Sequence, residues 1–384
     1  MVLVAGYSGT PGWQALRVFV VLLLFVGVFV LQQAGRARLN GITSVTVGIV
    51  GVVTGIAIGF MHLVKAGPLV PTVAGLVVLV SGAALLIAGG AGLIRLLTGW
   101  WRLLAIPAVY ILMEFAIFPF TAGVYAANVP AGHLGRADPA SYGLAYRTVS
   151  FETPDGVRLA GWYVPSHNGA AVIVVPGSGS TRAATLAQGG VLARHGYGVL
   201  FIDNRGHGTS GGTAMDFGWW GERDLSGAVS YLESQPDVAG GRIAILGESM
   251  GGEEAIGAIG SDTRVRAVVA EGATGRTFAD TARLGSGPSS AISRFQSWIT
   301  YTTAGTLSRA PQPPPIRTSL RQAYPRQVLI VAGRDELAAG RYLKSGSPAN
   351  VQLVEMKDAA HTAGLRTHPA EWENTVIQFL ATNV

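Results

Sequence analysis

"RIAILGESMGGEEA", residues 242–255, decides how this 384-residue chain is read. An apolar run from Ile243 to Leu246 leads into Gly247-Glu248-Ser249-Met250-Gly251, which fits the pattern G-x-S-x-G. With 53 glycines in the chain, the pattern alone carries little weight, and its surroundings decide. A buried strand that turns sharply into a helix needs small residues on both sides of the turn, because the two backbones approach closely. Gly247 and Gly251 are the expected elbow. Ser249 would stand at its apex, where a helix N-terminus favours negative charge.

Working outward, apolar runs alternate with helical stretches on both sides of the elbow. "AAVIVVPG" (170–177), "GVLFID" (198–203), "VRAVVAEG" (265–272), "QVLIVAG" (327–333) and "VQLVEM" (351–356) read as strands. Helices are expected from about Thr181 to His195, from Trp220 to Ser234, after Met250, and in "PAEWENTVIQFLATN" (369–383). Continuous apolar strands separated by helices imply a mostly parallel sheet with helices on both faces. Before them, "YRTVSFETPDGVRLAGWYVP" (146–165) reads as a hairpin turning at Pro154-Asp155-Gly156. Residues 273–326 break the rhythm and contain "SRFQSWITYTT" and "PQPPPI"; they are expected to form a short cap insertion over the strand ends.

The N-terminal third has a different composition. Only six Lys, Arg, Asp or Glu occur between Val18 and Ala127: Arg36, Arg38, Lys65, Arg95, Arg102 and Glu114. A bilayer core needs roughly 20 apolar residues in helical form. Four segments are long enough or nearly so: Leu16–Leu31, Ile42–Val64, Leu69–Leu93 and Trp101–Ala127. The expectation is an all-α transmembrane bundle over residues 1–128, a linker over 129–145, and an α/β domain over 146–384. The first segment could also be a cleavable signal peptide; three further spans favour a retained helix. Arg36, Arg38, Arg95 and Arg102 fall in the first and third loops, so positive-inside counting puts those loops in the cytoplasm and the α/β domain outside. Glu114 is costly inside a span and marks a functional or packing site. As a lone carboxylate it points to a helix-packing hydrogen bond, and it is poor support for a transporter.

The absence of cysteine excludes disulfides, zinc-thiolate sites and a cysteine nucleophile. The net charge of +6 comes without a basic run of five or more, so basic loops at a membrane explain it better than nucleic acid.

Five stretches in order, "VVPGSGS" (174–180), "FIDNRGHGTSGG" (201–212), "GESMGG" (247–252), "VAGRDE" (331–336) and "DAAHTAGL" (358–365), resemble the α/β-hydrolase superfamily and its dienelactone-hydrolase-like serine hydrolases. The resemblance covers about residues 146–384 and leaves the N-terminal region outside. It implies Ser249 as nucleophile, His361 as general base and Asp335 as the acid orienting the histidine. It also implies an oxyanion hole made by the N–H groups of Ser178 and Met250. Relatives often carry His-Gly before that oxyanion loop, where this chain has Pro176-Gly177. Glu271, closing its strand, is the alternative acid, and His368 the weaker alternative base. His195 and His207 are read as structural, Asp203 and Arg205 as pairing or capping within their turn, and Asp224 as similarly structural.

The implied activity is a membrane-anchored serine hydrolase cleaving an ester or related acyl bond through an acyl-enzyme. Peptidase, amidase and thioesterase activities would use the same residues, and no cofactor or metal is needed. The expected partners are a small-molecule or lipid-like ester and the lipid bilayer; the oligomeric state is open. The alternative function is a catalytically silent hydrolase-like sensor or binding module.

Overall fold

The computed structural model describes residues 26–28, 30 and 37–384. It comprises two compact units, one of Met1–Pro130 with Ser286–Arg309, the other of Ala131–Gly285 with Ala310–Val384.

The second unit is built on one sheet of eight strands: β1 (Arg147–Glu152), β2 (Arg158–Val164), β3 (Ala171–Val175), β4 (Gly198–Ile202), β5 (Ile243–Glu248), β6 (Val265–Glu271), β7 (Gln327–Gly333) and β8 (Val351–Met356). Their order across the sheet is β1-β2-β4-β3-β5-β6-β7-β8. β2 pairs antiparallel with β1 and β4, and the remaining pairs are parallel. Alternation along each central strand sends side chains to two separate cores. Ile173, Ile243 and Ile245 join Leu225, Val229, Ile256 and Ile259 on one face. Val172, Val174, Ala244 and Leu246 join Leu192, Trp372, Val376 and Leu380 on the other. Both faces are dry, which is why these strands read as unbroken apolar runs.

β4 and β5 flank β3 on opposite sides, so the winding direction reverses at β3. Open parallel sheets offer a crevice outside the strand carboxyl ends at such a reversal. The loop after β3 and the serine after β5 both lie there.

Among the described residues, the first unit holds three helices long and apolar enough to cross a bilayer, Ala37–Lys65, Thr72–Arg95 and Gly99–Ala126. Three of the four expected segments thus appear as helices; Leu16–Leu31 lies outside the described residues apart from 26–28 and 30. The first two helices touch backbone to backbone: a Cβ added at Gly59 would lie 2.6 Å from the carbonyl carbon of Gly75. Small residues in register permit this approach.

The expected cap does not form one piece. Ser286–Arg309, which includes the helix Pro288–Ser308, belongs to the unit of apolar helices. The rest of the 273–326 interval stays with the sheet, where the helix Ile316–Ala323 packs on Met250–Ser261. A Cβ at Gly260 would lie 2.9 Å from Ser319.

Candidate active site

β5 ends at Glu248, and the helix Met250–Ser261 begins one residue after Ser249. Ser249 itself has φ 53° and ψ −119°, a conformation L-residues avoid. Strain of this kind persists only where the surroundings over-determine it. Here they do. A Cβ on Gly247 would lie 2.1 Å from the Gly251 carbonyl oxygen, and one on Gly251 would lie 2.5 Å from that of Val175. No larger residue fits either side of the elbow. The Ser249 N–H donates to the Glu271 carbonyl at 2.7 Å, tying the turn to the end of β6.

The Ser249 hydroxyl lies 2.9 Å from His361 Nε2. The other ring nitrogen, Nδ1, lies 2.7 Å from Glu336 Oε1. The sequence-based expectation of Asp335 in that position is corrected. Glu336 is 4% exposed and meets the imidazole, whereas Asp335 is 67% exposed and sits 3.5 Å from Arg334. The cause is local. The residues Arg334–Glu336 form one 3-10 turn after β7, and only the last of them turns inward before the helix Leu337–Gly346 begins.

Glu271, the alternative acid, accepts the Gly364 N–H at 2.7 Å and the Trp372 indole N–H at 2.8 Å. It therefore braces the segment just after His361. The imidazole packs over the backbone of Gly272, whose Cβ position would lie 3.0 Å from the ring Cε1. His368 meets Asp358 at 2.7 Å and His195 meets Glu373 at 2.8 Å; neither approaches the serine.

The loop bearing Ser178 follows β3. It passes against the elbow, since a Cβ at Gly177 would lie 3.3 Å from Ser249 Cβ. Within it, the Ser180 N–H donates to Gly177 O at 3.2 Å and the Gly179 N–H to His207 Nε2 at 3.2 Å. The His207 Nδ1 faces the Arg205 carbonyl at 3.1 Å, which fixes its proton there and leaves Nε2 as acceptor. His207 is structural in a specific sense: it holds the loop bearing Ser178. Met250 opens its helix, so its N–H has no carbonyl four residues back to receive it.

Asp203 caps its turn by accepting the Thr209 N–H at 3.0 Å and pairs with Arg182 at 2.7 Å, while Arg205 pairs with Asp224 at 2.7 Å and Asp155 at 2.9 Å, so the two turn residues pair outward instead of with each other. Sequence reasoning missed a further feature beneath the serine. Burial, and secondly the charge of Glu271, push the Glu248 carboxyl up to about 8. Gln188 Nε2 donates to Glu248 Oε1, and Gln188 Oε1 is buried with no hydrogen-bond partner.

An arrangement of this kind can move a proton from a hydroxyl to an imidazole whose charged form a buried carboxylate stabilises. Comparison with known proteins agrees with the fold. The family model described as "Serine aminopeptidase, S33" matches residues 166–340, which include Ser249 and Glu336 but stop short of His361. The esterase Pf2001 of Pyrococcus furiosus superposes with a TM-score of 0.54 at 24% identity, covering 67% of this chain and 99% of that one. An uncharacterized Mycobacterium tuberculosis protein is 41% identical over 120 residues, 29% of this chain and 41% of that protein. The thiohydrolase aneE of Aspergillus aculeatus is 31% identical over 128 residues, 32% of this chain and 40% of that protein. The match thus spans about two fifths of these curated relatives' length. Sheet order and elbow give the sheet-bearing unit an α/β-hydrolase fold, to which the family model and the esterase are similar, with an N-terminal region of apolar helices that fits a membrane region.

Proposed function

We propose that the chain is a membrane-anchored serine hydrolase that cleaves an ester or related acyl bond, with Ser249 as nucleophile, His361 as general base and Glu336 as the orienting acid. The observation that carries this reading is the continuous path from Ser249 Oγ to His361 Nε2 at 2.9 Å and from Nδ1 to Glu336 at 2.7 Å. His361 takes the serine proton as Oγ attacks the acyl carbon, and returns it to the leaving group. Glu336, buried beside Nδ1, holds the ring in the tautomer that presents a free Nε2. The N–H groups of Met250 and Ser178 receive the oxyanion of the tetrahedral intermediate. Water then releases the acyl group by the same sequence, the imidazole again acting as base.

The three apolar helices support anchoring in a bilayer by their length and composition, and a catalytic domain held at a bilayer favours lipid-like or apolar acyl substrates. Membranes bearing wild-type protein are expected to hydrolyse p-nitrophenyl esters, with preference rising along a series of acyl chain lengths. Ser249→Ala membranes are expected to fall to background. Equal hydrolysis by both would remove the serine from the mechanism, and would favour the silent-module reading if neither is active.

A further inference from the structure

We propose that the helix Pro288–Ser308, inserted between β6 and β7, lies in the bilayer with Ile292, Phe295 and Trp298 against lipid. This rests on reading the apolar helices as membrane spans. The helix runs parallel to Gly99–Ala126 at a nearly constant offset. Gln296 Nε2 donates to Glu114 Oε2 and to its carbonyl, each at 3.0 Å. Thr300 Oγ1 donates to the Pro119 carbonyl at 3.1 Å. Further on, a Cβ at Gly123 would lie 2.6 Å from Thr303 Cβ.

Glu114 serves as a depth gauge. It lies twelve residues before Ala126, the end of its span, which is roughly 18 Å at 1.5 Å per residue. That depth falls within a hydrocarbon core about 30 Å thick. Gln296 must be at the same depth to reach it, and it brings its neighbours along. A polar group on a span is costly unless another helix satisfies it; Gln296 supplies that partner.

The two faces of the inserted helix agree. Ile299, Thr303 and Leu307 are buried against the unit. Ile292, Phe295 and Trp298, spaced three residues apart, are 45%, 47% and 50% exposed. Phe295 touches Phe115 with ring centroids 5.9 Å apart, so this stripe continues the exposed apolar surface of Tyr110, Ile111 and Phe118 on the neighbouring span. A patch of large apolar side chains continuous with the outer face of membrane helices is suited to acyl chains. The helix's single charged residue is Arg294, whose long side chain can reach for polar headgroups. Both ends of the insertion join the sheet unit. One follows the strand ending in Glu271, and the other precedes the strand leading to Glu336. A lipid contact here therefore ties the hydrolase domain to the bilayer at a second place.

The chain has no cysteine, so single cysteines can carry nitroxide labels in full-length protein reconstituted in phosphatidylcholine–phosphatidylglycerol vesicles. Ile292→Cys and Trp298→Cys report the stripe, Val109→Cys the neighbouring span, and Arg341→Cys the exposed surface of the sheet unit. Collision with oxygen is expected to exceed collision with a water-soluble nickel chelate at 292 and 298, as at 109, with the reverse at 341. Lipid contact at 109 with nickel access at 292 and 298 would overturn the proposal and leave the membrane reading standing. Exclusion of both reagents at 292 and 298 would overturn it in favour of protein cover, whether a lid or a second copy. Nickel access at 109 as well would overturn both readings.

Discussion

Asp335 and Glu336 are adjacent acids with opposite surroundings, one 67% exposed, the other 4%. Replacing Glu336 with Gln keeps its shape but removes the charge that stabilises the imidazolium, and is expected to lower kcat about 10³- to 10⁴-fold. Asp335→Asn is expected to change kcat by about twofold or less, since it alters a solvated group. Steady-state ester hydrolysis by the two variants separates them, and the reverse ranking would restore Asp335. Residue types were legible in "GRDE" (333–336), but the rotation of the turn was not: one residue along a 3-10 turn swings a side chain through about 120°. Glu248 gives a second test at this scale. Folding holds its carboxyl protonated up to about 8 against an ordinary 4.5. The unfolded chain therefore loses its proton first as pH rises. The stabilisation is complete below about 4.5 and is lost progressively towards about 8. Glu248→Gln, neutral throughout, is expected to gain stability over wild type between pH 5 and pH 8, by at least about 1 kcal/mol at the upper end. Denaturant melts at the two pH values check this; an equal difference at both would contradict the protonated carboxyl.

Among elements, the strand–elbow–helix unit was the most readable, because steric demands at Gly247 and Gly251 leave few alternatives. The loop after β3 was less so. The sequence placed Ser178 in it, yet what anchors the loop is a histidine 28 residues from Gly179, after a different strand. His207→Ala frees the Gly179 N–H and lets the loop drift. The expected outcome is a kcat lowered about 10- to 100-fold, less than or comparable with loss of one oxyanion donor, with KM little changed. A purely structural role would instead lower the melting temperature and leave kcat per folded molecule intact. The helix Pro288–Ser308 was also hidden from sequence reading. Its serines and threonines dilute the apolar signal, and its partner Glu114 lies 182 residues earlier in the chain.

For the whole molecule, the division into an apolar helical part and an α/β part follows from composition, since charged residues return only beyond the last apolar helix. The side of the membrane depends on a few basic residues. Four spans with Arg36, Arg38, Arg95 and Arg102 in cytoplasmic loops would put the hydrolase domain outside. Protease added to intact cells is then expected to digest the domain, and protection until lysis would reverse the orientation. The account stands chiefly on Ser249 being an activated nucleophile, and covalent capture tests that most directly. A fluorophosphonate probe applied to full-length protein in detergent, followed by peptide mass mapping, is expected to place one adduct on Ser249 and none anywhere in Ser249→Ala. An unlabelled Ser249 in folded protein, or labelling that survives Ser249→Ala, would contradict it.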